Sequence, residues 1–403
     1  MDISLKKSLL VVLCSSSLLL TACHDNDDDG DRFSSRADKK IYSVDNDVLN
    51  VAAVHDVFSY AMPSVQNKEI TATTLVFTPK GTPPVGGWPI VVWAHGTVGG
   101  ADQCAPSNNA LTGVEKQIIM ALLQKGYAVV APDYEGLGNT AVAHPYLNLG
   151  SAAKSVLFAV DAVHNRYANL SKEWSVIGWS QGGHAALATA EFSSTLNSKG
   201  FQYKGTVAVA PASNLQNTLD YGLGVAQLIA DSGALNQAVP IAATLYTYTA
   251  IVASGIKAEK TSFNYNQAFV ESKVAIASQA ETRCSTELGQ VFGGDIQTTL
   301  QLNGGNYDAY KALQDGFRTD PDIVAFLAKN NPGQLKLEKP VYIYQGELDT
   351  TVPFEITEQV LVPTMRSKGT DVHLVPKIGQ THQTIMENNI TELATQVDIL
   401  MQQ

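Results

Sequence analysis

Trp174-Ser175-Val176-Ile177-Gly178-Trp179-Ser180-Gln181-Gly182-Gly183-His184 joins an apolar run to an alanine-rich one, with Ser180 at the join. Val176 and Ile177 predict a buried strand, and Gly182 through Ala185, Ala186, Leu187, Ala188 and Ala190 predicts a helix. A strand that turns at once into a helix holds its turn residue in a strained backbone conformation. Small residues two positions to either side, Gly178 and Gly182, let the neighbouring backbone approach without a Cβ clash. The serine hydroxyl then stands above the sheet, at the positive end of the following helix. Such a Gly-x-Ser-x-Gly pattern marks either a nucleophile or a glycine-rich turn with an exposed serine.

Moving toward the N-terminus, Ser151 to Asn165 repeats apolar residues at helical spacing, and Tyr127 to Pro132 is a continuous apolar strand. Val114 to Gln124 predicts an amphipathic helix, Pro89 to Ala94 a strand buried on both faces, and Ile70 to Phe77 an early antiparallel strand. On the other side of Ser180, Gly205 to Ala210 is the next strand. Strand and helix therefore alternate through the middle of the chain, which predicts an α/β fold with a mostly parallel, doubly wound sheet. The alternation stops after Pro211 and resumes at Pro340-Val341-Tyr342-Ile343-Tyr344. Residues 212–338 are too many for a structureless loop, and the apolar stretches Leu223 to Ile229 and Val239 to Ile256 predict a helical cap over the active face. Val239 to Ile256 is short for a membrane span and carries Thr244, Thr247 and Thr249, so it is expected to be a core or lid helix.

A serine nucleophile needs a base, and the base needs an orienting acid. In a sheet of this kind both come from loops after later strands, in the order serine, acid, histidine. The strand at 341–344 runs into Gln345-Gly346-Glu347-Leu348-Asp349, which offers Asp349, with Glu347 as the alternative. Of the eight histidines only His373 and His382 follow Asp349. His373 lies within the predicted strand Asp371 to Val375, whereas His382 lies in a loop before a final helix, Glu387 to Met401, and is the expected base. Acyl transfer also needs about two N–H donors for the oxygen of the tetrahedral intermediate. The expected oxyanion donors are the N–H of Gln181, next to the nucleophile, and that of Thr97, in the loop His95-Gly96-Thr97-Val98-Gly99-Gly100. His95 is expected to brace this loop rather than act as a base, and Asp133 and Glu135 to support a Gly-rich turn rather than take part in chemistry.

The 403 residues carry a net charge of −11, and with a pI near 5.2 nucleic acid is not an expected partner. Met1 to residue 22 has the anatomy of an export signal: Lys6 and Lys7, an apolar stretch from Leu9 to Leu20, and a processing site before Cys23. Leu20-Thr21-Ala22-Cys23 resembles the bacterial lipoprotein box, which implies lipid attachment at Cys23, membrane anchoring and, since His24 follows, the outer membrane. An ordinary signal peptide with an incidental cysteine is the alternative. Residues 23–40 are rich in aspartate and are expected to form a tether without a fold, residues 41–211 and 339–403 the two parts of the core. The aspartate run lacks the ligand spacing, central glycine and closing glutamate of a calcium loop, so no metal is expected there. Cys104 and Cys284 remain as an even pair in an oxidising compartment, readable as one disulfide or as two free thiols.

Gly178 to Gly182, Gly346 to Asp349 with Val352-Pro353, and Gly379 to His382 resemble the triad elements of the α/β-hydrolase superfamily. Within it, Pro132 to Gly138, His144-Pro145-Tyr146-Leu147 and a large cap between the sixth and seventh core strands resemble the secretory lipase family. The resemblance runs from about residue 50 to 400 and is sharp in the core only. It implies an esterase or lipase acting on a small-molecule or lipid ester without a cofactor, and indicates no protein partner. The His95-Gly96-Thr97 loop departs from the family toward a generic esterase form. Two other functions fit the same motifs: a serine peptidase or amidase, and a surface lipoprotein that keeps the fold as a binding module.

Overall fold

A computed structural model describes residues 38–44, 46–111, 113–138 and 142–403. The export signal, Cys23 and residues 24–37 of the predicted tether lie outside the described residues. Among the described residues nine strands form one sheet in the order β1-β2-β3-β5-β4-β6-β7-β8-β9. The edge is antiparallel: β1 (Asp38–Ile41), β2 (Ala52–Pro63) and β3 (Glu69–Pro79) pair in succession, and β3 pairs with β5 (Ala128–Pro132). From β5 onward the sheet is parallel through β4 (Trp88–Ala94), β6 (Leu170–Trp179), β7 (Gln202–Val209), β8 (Val341–Gly346) and β9 (Val372–Lys377). The inner strands read as unbroken apolar runs because both faces are covered.

In chain order the core helices are α1 (Asn46–Val51), α2 (Gly113–Gln124), α3 (Leu149–Arg166) and α4 (Gln181–Phe192). The cap contributes α5 (Leu215–Asp231), α6 (Leu235–Glu259), α7 (Glu271–Ala277), α8 (Ser285–Leu302) and α9 (Pro321–Lys329). The core then closes with α10 (Phe354–Ile356), α11 (Val362–Ser367), α12 (Thr384–Glu387) and α13 (Ile390–Met401). Helices α3 and α4 pack on one face of the sheet around Trp174, Val176 and Val160. Helices α2 and α13 pack on the other around Ile118, Leu122, Val397 and Leu400. The cap has a core of its own, with Phe263, Phe269 and Phe292 fully buried.

Three details depart from the sequence reading. Strand β1 takes in Asp38 to Lys40, the end of the predicted tether, by pairing them with Phe58, Ser59 and Val57 of β2, so order begins before residue 41. The expected final helix from Glu387 begins three residues later, at Ile390, because Asn388 and Asn389 separate it from the short α12 that ends at Glu387, and Asn389 leaves helical geometry at φ −124° and ψ 12°. The second half of the cap, polar in composition, holds α8, whose Leu288, Phe292, Ile296 and Leu300 repeat every four residues and are buried. The cap lies between β7 and β8, which are core strands six and seven once the added edge strand β1 is set aside. Helix α6 is long and apolar enough to cross a membrane by length and composition alone, yet 67% of its most apolar window is buried inside the protein.

Candidate active site

Ser180 joins β6 to α4 with φ 59° and ψ −114°, a conformation that a side chain bearing a Cβ adopts only when its surroundings enforce it. They do. Its N–H donates to Val209 O at 2.9 Å, and its carbonyl accepts from His184 N at 3.0 Å and Ala212 N at 3.2 Å. A Cβ on Gly178 would stand 2.1 Å from Gly182 O, and one on Gly182 would stand 1.8 Å from Ala94 O, so the turn closes only with glycine at both positions. Gln181 opens α4, and N–H groups in the first turn of a helix have no partner within it. Its N–H is therefore available to an anion beside Ser180.

Asp349 follows β8 and is buried, its side chain 0% exposed. Oδ1 accepts the backbone N–H groups of Thr351 and Val352, both at 2.8 Å. Oδ2 accepts Gln345 Nε2 at 3.1 Å and faces His382 Nδ1 at 2.7 Å. With a carboxylate as partner, Nδ1 is the nitrogen that donates, which leaves Nε2 of His382 as an acceptor. Gln345 is itself fixed, donating to Val352 O at 2.7 Å and accepting from Thr357 Oγ1 at 3.1 Å. The loop bearing His382 is tied to the serine turn by Trp179, whose Nε1 donates to His382 O at 3.1 Å and whose ring lies 5.3 Å from the imidazole, tilted by 33°. Among the described residues the Ser180 hydroxyl has no hydrogen-bond partner, so the serine–histidine contact is not closed here. Glu347, the alternative acid, is exposed. His373 sits on β9, paired with Asp371 at 3.0 Å and stacked on Tyr342.

The loop after β4 is built from peptide planes held one by one. His95 is buried, with Nδ1 2.7 Å from Gly96 O and Nε2 3.2 Å from Asp133 O, and burial lowers its pKa to about 4. In a trans peptide the N–H points away from the preceding C=O, so a ring that holds Gly96 O turns the Thr97 N–H to the opposite side. Asp133 accepts Thr73 Oγ1 at 2.5 Å and Ser107 N at 2.9 Å, and Glu135 accepts Ser151 Oγ at 2.5 Å and Val65 N at 2.7 Å. Each carboxyl thus has its own donors and binds separate segments of chain, with burial raising Asp133 to about 6.

Sequence reasoning missed several residues around Ser180. The Gln181 side chain donates from Nε2 to His144 Nε2 at 3.0 Å, while His144 Nδ1 is spent on Glu135 O at 2.6 Å. That pairing fixes the neutral tautomer, and burial lowers the His144 pKa to about 4. Tyr146 reaches Thr97 Oγ1 at 2.7 Å. The His144 to Leu147 stretch carried a signal as a motif, but the partners lie 37 and 49 residues away and leave no local pattern. A recess partly open to solvent starts at Ser180 and runs under the cap. Leu219 of α5, Leu245 and Val252 of α6, and Phe317 and Leu327 line its depth, with Tyr248 at one wall. Its lining is mostly apolar.

A chain with this fold and site has known relatives in structure. The esterase LipA from Xanthomonas oryzae, described as rice cell wall degrading, superimposes with a TM-score of 0.65 at 20% identity, over 90% of this chain and 97% of LipA. A putative hydrolase from Legionella pneumophila gives 0.69 at 18% identity, over 88% of this chain and 91% of its own. Candida antarctica lipase A in its closed state gives 0.67 at 16% identity, over 92% of this chain and 82% of the lipase. At these identities the likeness establishes the α/β-hydrolase fold. No curated protein sequence matches the chain significantly. The model of the secretory lipase family matches residues 102–392, well over half of the sequence. The chain belongs to the secretory lipase family, ester hydrolases built on the α/β-hydrolase fold.

Proposed function

We propose that the chain hydrolyses carboxylic esters of medium or long acyl chains through Ser180, His382 and Asp349. The observation that carries this is the buried Asp349–His382 pair, stitched by Trp179 to a strained serine turn that opens into an apolar recess. Ser180 Oγ attacks the acyl carbonyl and His382 Nε2 takes its proton; the carbonyl oxygen becomes an oxyanion held by the N–H groups of Gln181 and Thr97. Collapse of the intermediate expels the alcohol, which receives the proton from His382, and leaves the acyl group on Ser180. Water then attacks along the same route, His382 again taking the proton, and the acid departs. Asp349 keeps His382 in the required tautomer and stabilises the imidazolium.

The test is turnover of 4-nitrophenyl esters of rising acyl length by the full chain, with Ser180→Ala alongside. Activity on C6 to C12 esters that vanishes in the variant supports the reading. Turnover of amides but not of esters would favour a peptidase or amidase, and no labelling of Ser180 by a fluorophosphonate would favour a binding module. Cys23 is read as the lipid attachment site, motivated by Leu20-Thr21-Ala22-Cys23. Cys23→Ala should leave the protein in the soluble fraction, and membrane retention of that variant would sink the assignment.

A further inference from the structure

The loop carrying Thr97 belongs to the core, yet the cap holds it. Ser285, the first residue of α8, donates its N–H to Val98 O at 2.8 Å and its hydroxyl to Thr97 O at 3.2 Å. One residue earlier, Cys284 forms an antiparallel bridge with Gly99 and a disulfide with Cys104. The approach is close enough that a Cβ on Gly99 would stand 2.8 Å from Cys284 Cα, and one on Gly100 would stand 2.7 Å from Ala280 O. Three contacts from Cys284 and Ser285, the Ser285 N–H on Val98 O that makes the bridge, the Ser285 hydroxyl on Thr97 O and the disulfide, therefore converge on the segment from Thr97 to Cys104.

These contacts complete what His95 begins. His95 holds Gly96 O and so sets the peptide plane that contains the Thr97 N–H. Ser285 holds Thr97 O, and with it the next plane. The backbone of Thr97 is thus pinned from both sides, once by the core and once by the cap, while Tyr146 fixes its side chain. An oxyanion donor acts through its placement, and a shift of ~1 Å in a catalytic group can cost roughly a hundredfold in rate.

We propose that Ser285 is a positioning residue of the ester hydrolase. It orders the Thr97 N–H for the oxyanion, and the Cys104–Cys284 disulfide keeps Ser285 in place. This rests on the ester-hydrolase reading and on Thr97 as a donor. It follows that the start of α8 stays on the core during turnover, so any opening of the cap happens elsewhere.

Ser285→Pro tests the proposal, because proline suits the first position of a helix and removes both donors at once. Cys284, at φ −73° and ψ 157°, already has the extended backbone that a following proline requires. The readouts are kcat, KM and inhibition by an alkyl trifluoromethyl ketone. Addition of Ser180 Oγ to its carbonyl carbon passes the serine proton to His382 and turns the ketone oxygen into an anion in the same hole. The expected result is a kcat lower by about 10- to 100-fold, KM within about twofold of wild type, and an inhibition constant raised by the same factor as kcat falls. Ser285→Ala, which keeps the backbone donor, should show the same pattern at about threefold and serves if the proline variant fails to fold. Wild-type kcat and inhibition in both variants would overturn the proposal, as would a rise in KM with inhibition by the ketone unchanged. If the wild type shows no hydrolysis that depends on Ser180, it is the ester-hydrolase reading itself that falls.

Discussion

Two carboxylates stand two residues apart after β8, and their backbone surroundings give them different work. The Glu347 N–H is spent on Lys377 O and its side chain turns to solvent, whereas Asp349 turns inward to accept Thr351 N and Val352 N and to meet His382. Asp349→Asn keeps the size of the side chain but offers His382 an amide in place of a carboxylate, which favours the wrong tautomer. Its kcat on a short-chain ester should fall by about 10³–10⁴. Glu347→Gln should stay within about twofold, and equal losses in the two variants would argue against Asp349 as the orienting acid. The placement of Ser180, Asp349 and His382 after strands β6, β8 and β9 was legible in the sequence because each follows a recognisable apolar run. Ser285 was not, since its contact with Thr97 spans 188 residues and no local pattern records it.

Helix α6 presents different faces to different spaces, which explains why its composition is so even. Leu245, Thr249 and Val252 face the recess at Ser180, Val239, Ala243 and Thr247 face the groove against α8, and Tyr248 stands between the two. A helix buried on most sides lacks a strong apolar stripe, so the sequence signalled its existence but not its orientation. Helix α8 was harder to see, because Ser, Thr, Gly and Gln surround its four buried anchors. If the recess holds the acyl chain, then Val252→Trp should shorten it. Activity on C10 esters should fall more than about tenfold while C2 to C4 esters stay within about threefold, since bulk added to a filled slot is resisted by close packing. A steady-state series over acyl length measures this directly. An unchanged profile would move the acyl chain out of this recess.

At the scale of the molecule, cap and core are joined at several points through buried and half-buried polar groups. Glu259 of α6 accepts Asn148 Nδ2 at 2.8 Å, and Gly333 N reaches Glu191 of α4 at 2.7 Å. Asn330, at the end of α9, accepts Leu149 N on its side chain at 2.9 Å and His184 Nε2 on its carbonyl at 3.0 Å. His184 belongs to the helix that follows Ser180, so this contact couples the serine turn to the far end of the cap. Burial lowers the His184 pKa from 6.5 to about 4, with His95 and His144 lowered in the same way, while Glu115 and Asp133 are raised to about 7 and about 6. A histidine kept neutral by the fold contributes stability that is fully present above its ordinary pKa and is lost as pH falls through the folded value. Across that window, pH 6.5 down to about 4, one such proton changes stability by about 1.4 kcal/mol per pH unit. The two carboxyls work in the opposite direction, since their folded forms take up protons more readily than the unfolded chain does. His184→Gln keeps an N–H donor near Asn330 O and removes the titration. The variant should therefore lose less thermal stability than wild type between pH 7 and pH 5, whatever its absolute melting temperature. Melting curves at the two pH values decide the point: an acid-induced drop equal to that of wild type would mean that His184 takes up its proton without opening the joint between cap and core.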